Sequence, residues 1–328
     1  MKRREFIALL GAAAAMWRNI AHAQSSSANP LVSVLSPLSA TAATRNIAAF
    51  RSAMRDLGYV NGRNMTLELR YADGAIERMS SLAVELIALK PDVLLVGSMA
   101  GASAAHRATR TVPVVTIVSE DPIASGLANS IAKPGGNISG TWMLGDDGLV
   151  GKRLEFLKLA VPTVARVGVL YAPDDPNDAS ILPRLPSAAK ALGLTIQTFE
   201  VRDMTTLHTI AAEIARADIQ GLLIGQGPPF NTRRGELTAL ASRLRLPAVY
   251  GFREFAEAGG FLAYGPNLPD IYRQSARLVD RILKGANPAE MPFELPTRYE
   301  LIVNLKAASA MGLTVSDSFL LLADEVIE

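Results

Sequence analysis

VLLVGSMAGASAA, residues 93–105, decides the fold class. Val93 to Val96 is an unbroken apolar run, as a strand buried on both faces reads. It runs into Gly97 and Ser98, and then into a helix start made almost wholly of Ala, Ser and Gly. Such a turn serves as a nucleophile elbow, a phosphate cradle or a hydrogen-bonding floor for a small ligand.

Working outward, strands and helices alternate with little interruption. Strands are expected over 31–37, 65–72, 93–97, 112–119 and 138–143, with helices over 44–59, 76–90 and 103–109 between them. A second series has helices over 149–161, 185–193, 204–217, 232–245 and 269–285. Its strands are expected over 164–173, 194–201, 219–225, 246–252 and 259–265. Two series of βα repeats predict an α/β fold of two doubly wound, parallel-sheet lobes. A ligand then sits in the cleft beyond the carboxyl ends of the strands. Residues 286–296 are the candidate for a third hinge strand.

The chain has 328 residues, 49% hydrophobic and 20% charged, which suits a globular protein of two lobes. Lys2, Arg3 and Arg4 precede an apolar run from Phe6 to Met16, and Ala21-His22-Ala23 offers the small residues that a signal peptidase reads. This layout predicts an export signal over 1–23, cleaved before Gln24. The run is shorter than the roughly 20 apolar residues of a membrane span. Arg3-Arg4-Glu5-Phe6-Ile7 fits the twin-arginine pattern except for Lys2, so that route and the Sec route both stand. Removing the signal takes four of 33 basic and one of 31 acidic residues, leaving 29 and 30. A net charge of −1 gives no electrostatic case for nucleic acid. With no Cys there are no disulfides, no thiol chemistry and no lipid-modified Cys, so a free, soluble periplasmic protein is expected. Beyond the signal only His106 and His208 remain, too few for His-rich metal chemistry.

The familiar catalytic patterns fail. In Gly136-Asn137-Ile138-Ser139-Gly140 the Ser comes one place too late for an elbow. Phe230 stands at the third glycine position of Gly225-Gln226-Gly227-Pro228-Pro229-Phe230. The stretch from Gly145 to Lys152 is one residue too long for a phosphate loop, Arg153 replaces its Ser/Thr, and Asp146 and Asp147 repel phosphate. Asp174, Asp175 and Asp178 hint at calcium, but Pro176 and the missing turn glycine favour a solvated loop. His106 and His208 read as surface residues.

Strand ends then supply the candidate ligand-binding set. The first lobe offers Ser36, Ser39, Gly97, Ser98, Met99, Ala100, Ser119 and Asp121. Around Ser98 the small residues let backbone N–H groups approach a ligand carboxylate at a helix N-terminus, or serve only close helix–sheet packing. Glu120 and Asp121 hold a ligand ammonium or cap the following turn, and both readings stand. The second lobe offers Tyr171, Gln226, Tyr250 and Tyr264, with Phe230 and Phe252 nearby, as an aromatic wall for a side group.

Several ordered stretches carry a resemblance. They are Gly58-Tyr59-Val60-Asn61-Gly62-Arg63-Asn64, Lys133-Pro134-Gly135-Gly136-Asn137, Gly151-Lys152-Arg153-Leu154-Glu155, Tyr250-Gly251-Phe252-Arg253-Glu254-Phe255, Tyr264-Gly265-Pro266-Asn267 and Asn304-Leu305-Lys306. The chain resembles the substrate-binding protein family of ABC importers that includes tryptophan- and tyrosine-binding members. That resemblance implies a type I periplasmic-binding-protein fold, two Rossmann-like lobes joined by three hinge strands. Lobe 1 is expected over 30–142 plus 266–290, and lobe 2 over 143–265 plus 291–328. The family's Ser/Gly-Asp-Pro pattern falls on Asp121-Pro122. Its usual Pro in the turn after the third strand is replaced here by Met99, which is the expected seat of selectivity. A monomer without cofactor is implied, delivering a small amino-acid-like ligand to an ABC permease and not acting as an enzyme. The alternative is an exported enzyme on the same fold working through Glu120 and Asp121.

Overall fold

The structure is a computed structural model that describes residues 29–143 and 148–328. The expected export signal, with its twin-arginine pattern, lies outside the described residues, as do Gly145, Asp146 and Asp147.

Lobe 1 is built on a parallel sheet of five strands in the order β2-β1-β3-β4-β5. These are β1 (Leu31–Ser36), β2 (Thr66–Tyr71), β3 (Val93–Val96), β4 (Val114–Val118) and β5 (Ile138–Trp142). Helices α1 (Ala40–Asp56), α2 (Met79–Ala88) and α3 (Met99–Ala108) cover it. All four residues of β3 are buried, as their unalternating apolar run requires. The helix after it starts at Met99, four residues before the expected 103, because the Ser98 Oγ accepts the Gly101 N–H at 3.2 Å and caps it. Ser39 does the same for α1 through the Ala42 N–H.

Lobe 2 follows with α4 (Gly148–Ala160), β6 (Arg166–Tyr171), α5 (Pro176–Ile181), α6 (Leu185–Ala191), β7 (Thr195–Glu200), α7 (Leu207–Arg216) and β8 (Gly221–Ile224). Then come α8 (Pro228–Thr232), α9 (Arg234–Leu244), β9 (Ala248–Tyr250), α10 (Arg253–Glu257) and β10 (Leu262–Pro266). After α11 (Leu268–Leu283), the strand β11 (Tyr299–Asn304) runs antiparallel to β10. The chain ends with α12 (Leu305–Ala310), α13 (Asp317–Leu320) and β12 (Glu325–Ile327), giving the order β12-β11-β10-β9-β8-β6-β7. The last two strands fall outside the expected series, because β11 returns after an irregular segment and not after a helix.

Two other expectations are corrected. Residues 286–296 form no strand: they hold a single 3₁₀ turn at Pro288–Glu290 and an isolated bridge from Glu294 to Thr141. Pro288, Pro292 and Pro296 remove the N–H groups that a ladder needs. The acidic stretch after β6 is not a solvated loop either. Asp175 caps α5 through the Asp178 N–H, Pro176 takes the first helical position, and Asp175 and Asp178 are 4% and 0% exposed.

The chain crosses between the sheets after β5, after β10 and again between α11 and β11. At the second crossing α11 leaves lobe 2 and packs along α1 of lobe 1. The lobes also touch directly. Arg45 of α1 pairs with Glu257 of α10, and a Cβ on Gly74 would lie 3.2 Å from the Pro229 Cα.

Candidate functional site

The carboxyl ends of both sheets face one cavity of about 620 Å³, part of it open to solvent. Lobe 1 lines it with Pro37 and Leu38 after β1, Gly97 to Ala100 after β3, and Ser119 and Glu120 after β4. Lobe 2 contributes Asp175, Pro176 and Asn177 after β6, Gln226 and Pro228 after β8, and Phe252 after β9. Asn46, Asn231, Leu268 and Tyr272 reach in from helices. Among the described residues no Lys, Arg or His lines it.

Of the candidate residues, Gly97, Ser98, Met99, Ala100, Ser119 and Gln226 lie on this wall. The other six lie elsewhere. The Ser36 Oγ accepts the Leu38 N–H at 3.2 Å under the turn, and Ser39 is spent as the cap of α1. Asp121 accepts the N–H groups of Ile123 and Ala124 at 2.7 and 3.3 Å through Oδ1, as its capping alternative expects. Tyr171 donates to Glu200 at 3.2 Å, Tyr250 stacks on Phe255 at 4.8 Å, and Tyr264 meets Phe156 edge-on at 4.8 Å. These three tyrosines lie within strands, so their side chains go to the sheet faces and not past the sheet's end. The aromatic surface of the cavity comes instead from Phe252 and Tyr272.

Under lobe 2's wall lies a buried polar network. Arg153, 1% exposed, donates from Nε to the Tyr264 carbonyl at 2.8 Å and from Nη2 to the Gln226 Oε1 at 3.0 Å. Burial pulls its guanidinium down to about 10. With Oε1 held from behind, the Gln226 amide nitrogen is the end left without a partner. A Cβ on Gly251 would collide with this amide, so only glycine lets it pass. Asp178 accepts the N–H groups of Gln226, Gly227 and Ala172 at 2.8, 3.2 and 2.9 Å. Burial pushes Asp175 and Asp178 up, and at Asp178 these backbone donors oppose the shift.

Among the described residues, four buried polar atoms of cavity-lining residues have no hydrogen-bond partner: Asn46 Oδ1, Glu120 Oε1, Asn177 Oδ1 and Gln226 Nε2. Such atoms cost free energy unless something meets them, about 1–3 kcal/mol each. Burial pushes the Glu120 carboxyl up to about 7, and the charges of Asp175 and Asp178 across the cleft add to that rise. The Asn46, Asp175, Asn177 and Tyr272 contributions were not foreseen. The Asp175-Pro176 pair, a cap followed by the residue that suits a helix's first position, was the one available signal.

A model of the family described as ABC transporter substrate binding protein matches residues 31–327. The chain belongs to that family. A tyrosine-binding protein of Clostridioides difficile (strain R20291) is 23% identical over 285 residues, 84% of this chain and 80% of the relative. An ABC domain from Streptococcus pneumonia, solved in complex with L-Trp, superposes with a TM-score of 0.83 at 21% identity, covering 91% of this chain and 100% of the other. A conserved domain protein from Vibrio cholerae gives 0.83 at 22% identity, covering 91% and 99%. These likenesses place the two lobes in the type I periplasmic-binding-protein fold that the sequence implied. No described helix of the family member is long and apolar enough to cross a membrane.

Proposed function

We propose that this protein is an extracytoplasmic receptor of an ABC import system, closing on a small amino-acid-like solute and delivering it to a membrane permease. The observation that carries this reading is a cavity between two lobes whose lining residues hold four unpartnered, buried polar atoms. A bound solute would satisfy them and hold the lobes together, which is how a ligand biases a hinge. Its carboxylate fits the first-turn N–H groups of α3 at Met99 and Ala100, beside the Ser98 hydroxyl. Its ammonium fits Glu120 and Asp175, in place of Asp121. An apolar or aromatic side group fits Met99, Phe252 and Tyr272, in place of the three strand tyrosines.

Thermal-shift screening against amino acids, amines and small carboxylates tests this. A ligand at 100 times its Kd adds about 2.7 kcal/mol of stability. The receptor reading also requires that the bound compound be recovered chemically unchanged. A panel in which nothing raises the unfolding midpoint would sink it.

A further inference from the structure

The charges around the cavity do not balance for a zwitterion. Among the described residues two carboxyl side chains line it, Glu120 from lobe 1 and Asp175 from lobe 2. The Asp178 carboxylate behind them already has three backbone donors and the nearby Arg153 guanidinium. Arg153 spends its Nε and Nη2 on Tyr264 and Gln226, away from any ligand. The positive counterpart is the start of α3, worth roughly half an elementary charge. So the cavity offers a cation up to two full charges and an anion about half of one. The unpartnered atoms lean the same way: Asn46 Oδ1, Asn177 Oδ1 and Glu120 Oε1 accept, and the Gln226 Nε2 alone donates. Asn46, Asn177 and Gln226 are more than nine-tenths buried, so none can turn to bulk water for a partner.

We propose that the group this cavity recognises is an organic ammonium bridging Glu120 and Asp175 across the cleft, and that the ligand's carboxylate is dispensable. The inference rests on the receptor reading and narrows its substrate class to primary amines, with or without an acid group. Two like charges facing each other from separate lobes oppose closure. An ammonium between them converts that repulsion into two charge-assisted hydrogen bonds. The ligand's charge is then the closing agent, and its apolar body only fills the space between Met99, Phe252 and Tyr272.

The test uses matched trios, each an amino acid, its decarboxylated amine and its deaminated acid, built on the side groups of tyrosine, tryptophan and leucine. Titration calorimetry on the full-length mature chain should find an amine that binds within about tenfold of its amino acid, while the acids fail. Glu120→Gln and Asp175→Asn should each weaken that amine by about tenfold to a hundredfold, the loss of one charge-assisted contact. Asn keeps the cap on α5, so the second variant separates loss of charge from loss of fold. At pH 6 amine binding should also release protons, read as a heat that differs between buffers of different ionisation enthalpy. Amines that bind more than a hundredfold below their amino acids overturn the inference, and so does unchanged affinity in both variants; the receptor reading survives either result. If none of the compounds binds, both readings fall.

Discussion

The wall that lobe 1 gives the cavity is mostly backbone and apolar surface: Leu38, Gly97, Ser98, Met99 and Ala100 leave Glu120 and Asn46 as its main polar groups. The wall of lobe 2 is a wired network, in which Arg153 fixes Gln226, Asp178 gathers three N–H groups, and Asp175 caps the helix that carries it. Lobe 2 is pre-organised before any ligand arrives, because its polar groups are held from behind. Lobe 1 meets the ligand with a helix start and a flexible Met, which adapt to shape at little cost. Lobe 2 therefore presents polar groups already fixed in place, and lobe 1 a surface that can adjust to the ligand's shape.

Breaking the wired wall should have the largest effect. Arg153→Met leaves the Gln226 Oε1 and the Tyr264 carbonyl without their donor and strips Asp178 of its cation. A loss of about 3–5 kcal/mol is expected, as when one partner of a buried ionic network is removed. Urea unfolding checks it, and a loss under about 1 kcal/mol would mean that the network does not brace the wall.

The second effect comes from Glu120 and sharpens the contrast in charge. A carboxyl raised from 4.5 to about 7 in the folded protein is easier to ionise once unfolded. Its contribution is neutral well below 4.5, turns unfavourable as pH rises through that value, and reaches its full cost above about 7. Asp175 and Asp178, the acidic groups facing it from α5, push the same way, with Arg153 offsetting Asp178 from α4. The ligand-free protein should therefore melt at lower temperature at pH 7.5 than at pH 5, and Glu120→Gln should flatten that slope. A slope untouched by the substitution would assign the titration to other groups.

The smallest effect belongs to the adaptable wall. Met99→Leu conserves volume and should cost less than about 1.5 kcal/mol of stability. It should nevertheless reorder affinities among ligands that differ only in side group, since Met99 faces the cavity at 7% exposure. An unchanged ranking by calorimetry would move selectivity to Phe252 or Tyr272.

Both sheets were legible in the sequence because most of their strands are buried apolar runs set off by Gly and Pro. The turn after β3 and Gln226 after β8 were legible for a related reason, as they follow directly from a strand's end. The aromatic wall was not. Tyr171, Tyr250 and Tyr264 stand near strand ends in the sequence, but one step of the pleat sends them to a sheet face. Tyr272 and Leu268 were missed although their helix was expected in lobe 1, because they stand on α11 and not at a strand's end. The acidic run at 174–178 misled because charge suggests exposure, whereas backbone donors and Arg153 make burial of Asp178 tolerable.

The return of α11 also sets an order of assembly. Its partner α1 lies more than 200 residues earlier in the chain, at Ala40–Asp56 against Leu268–Leu283. Contacts of such long sequence separation form slowly, because a large loop must close before they repay its entropy. The stretch from α4 to β9 can collapse on local βα units alone, while the face of the N-terminal lobe that carries α1 waits for a helix near the far end of the chain. Hydrogen exchange during refolding should accordingly protect β6 and β8 first, and α1 no earlier than α11.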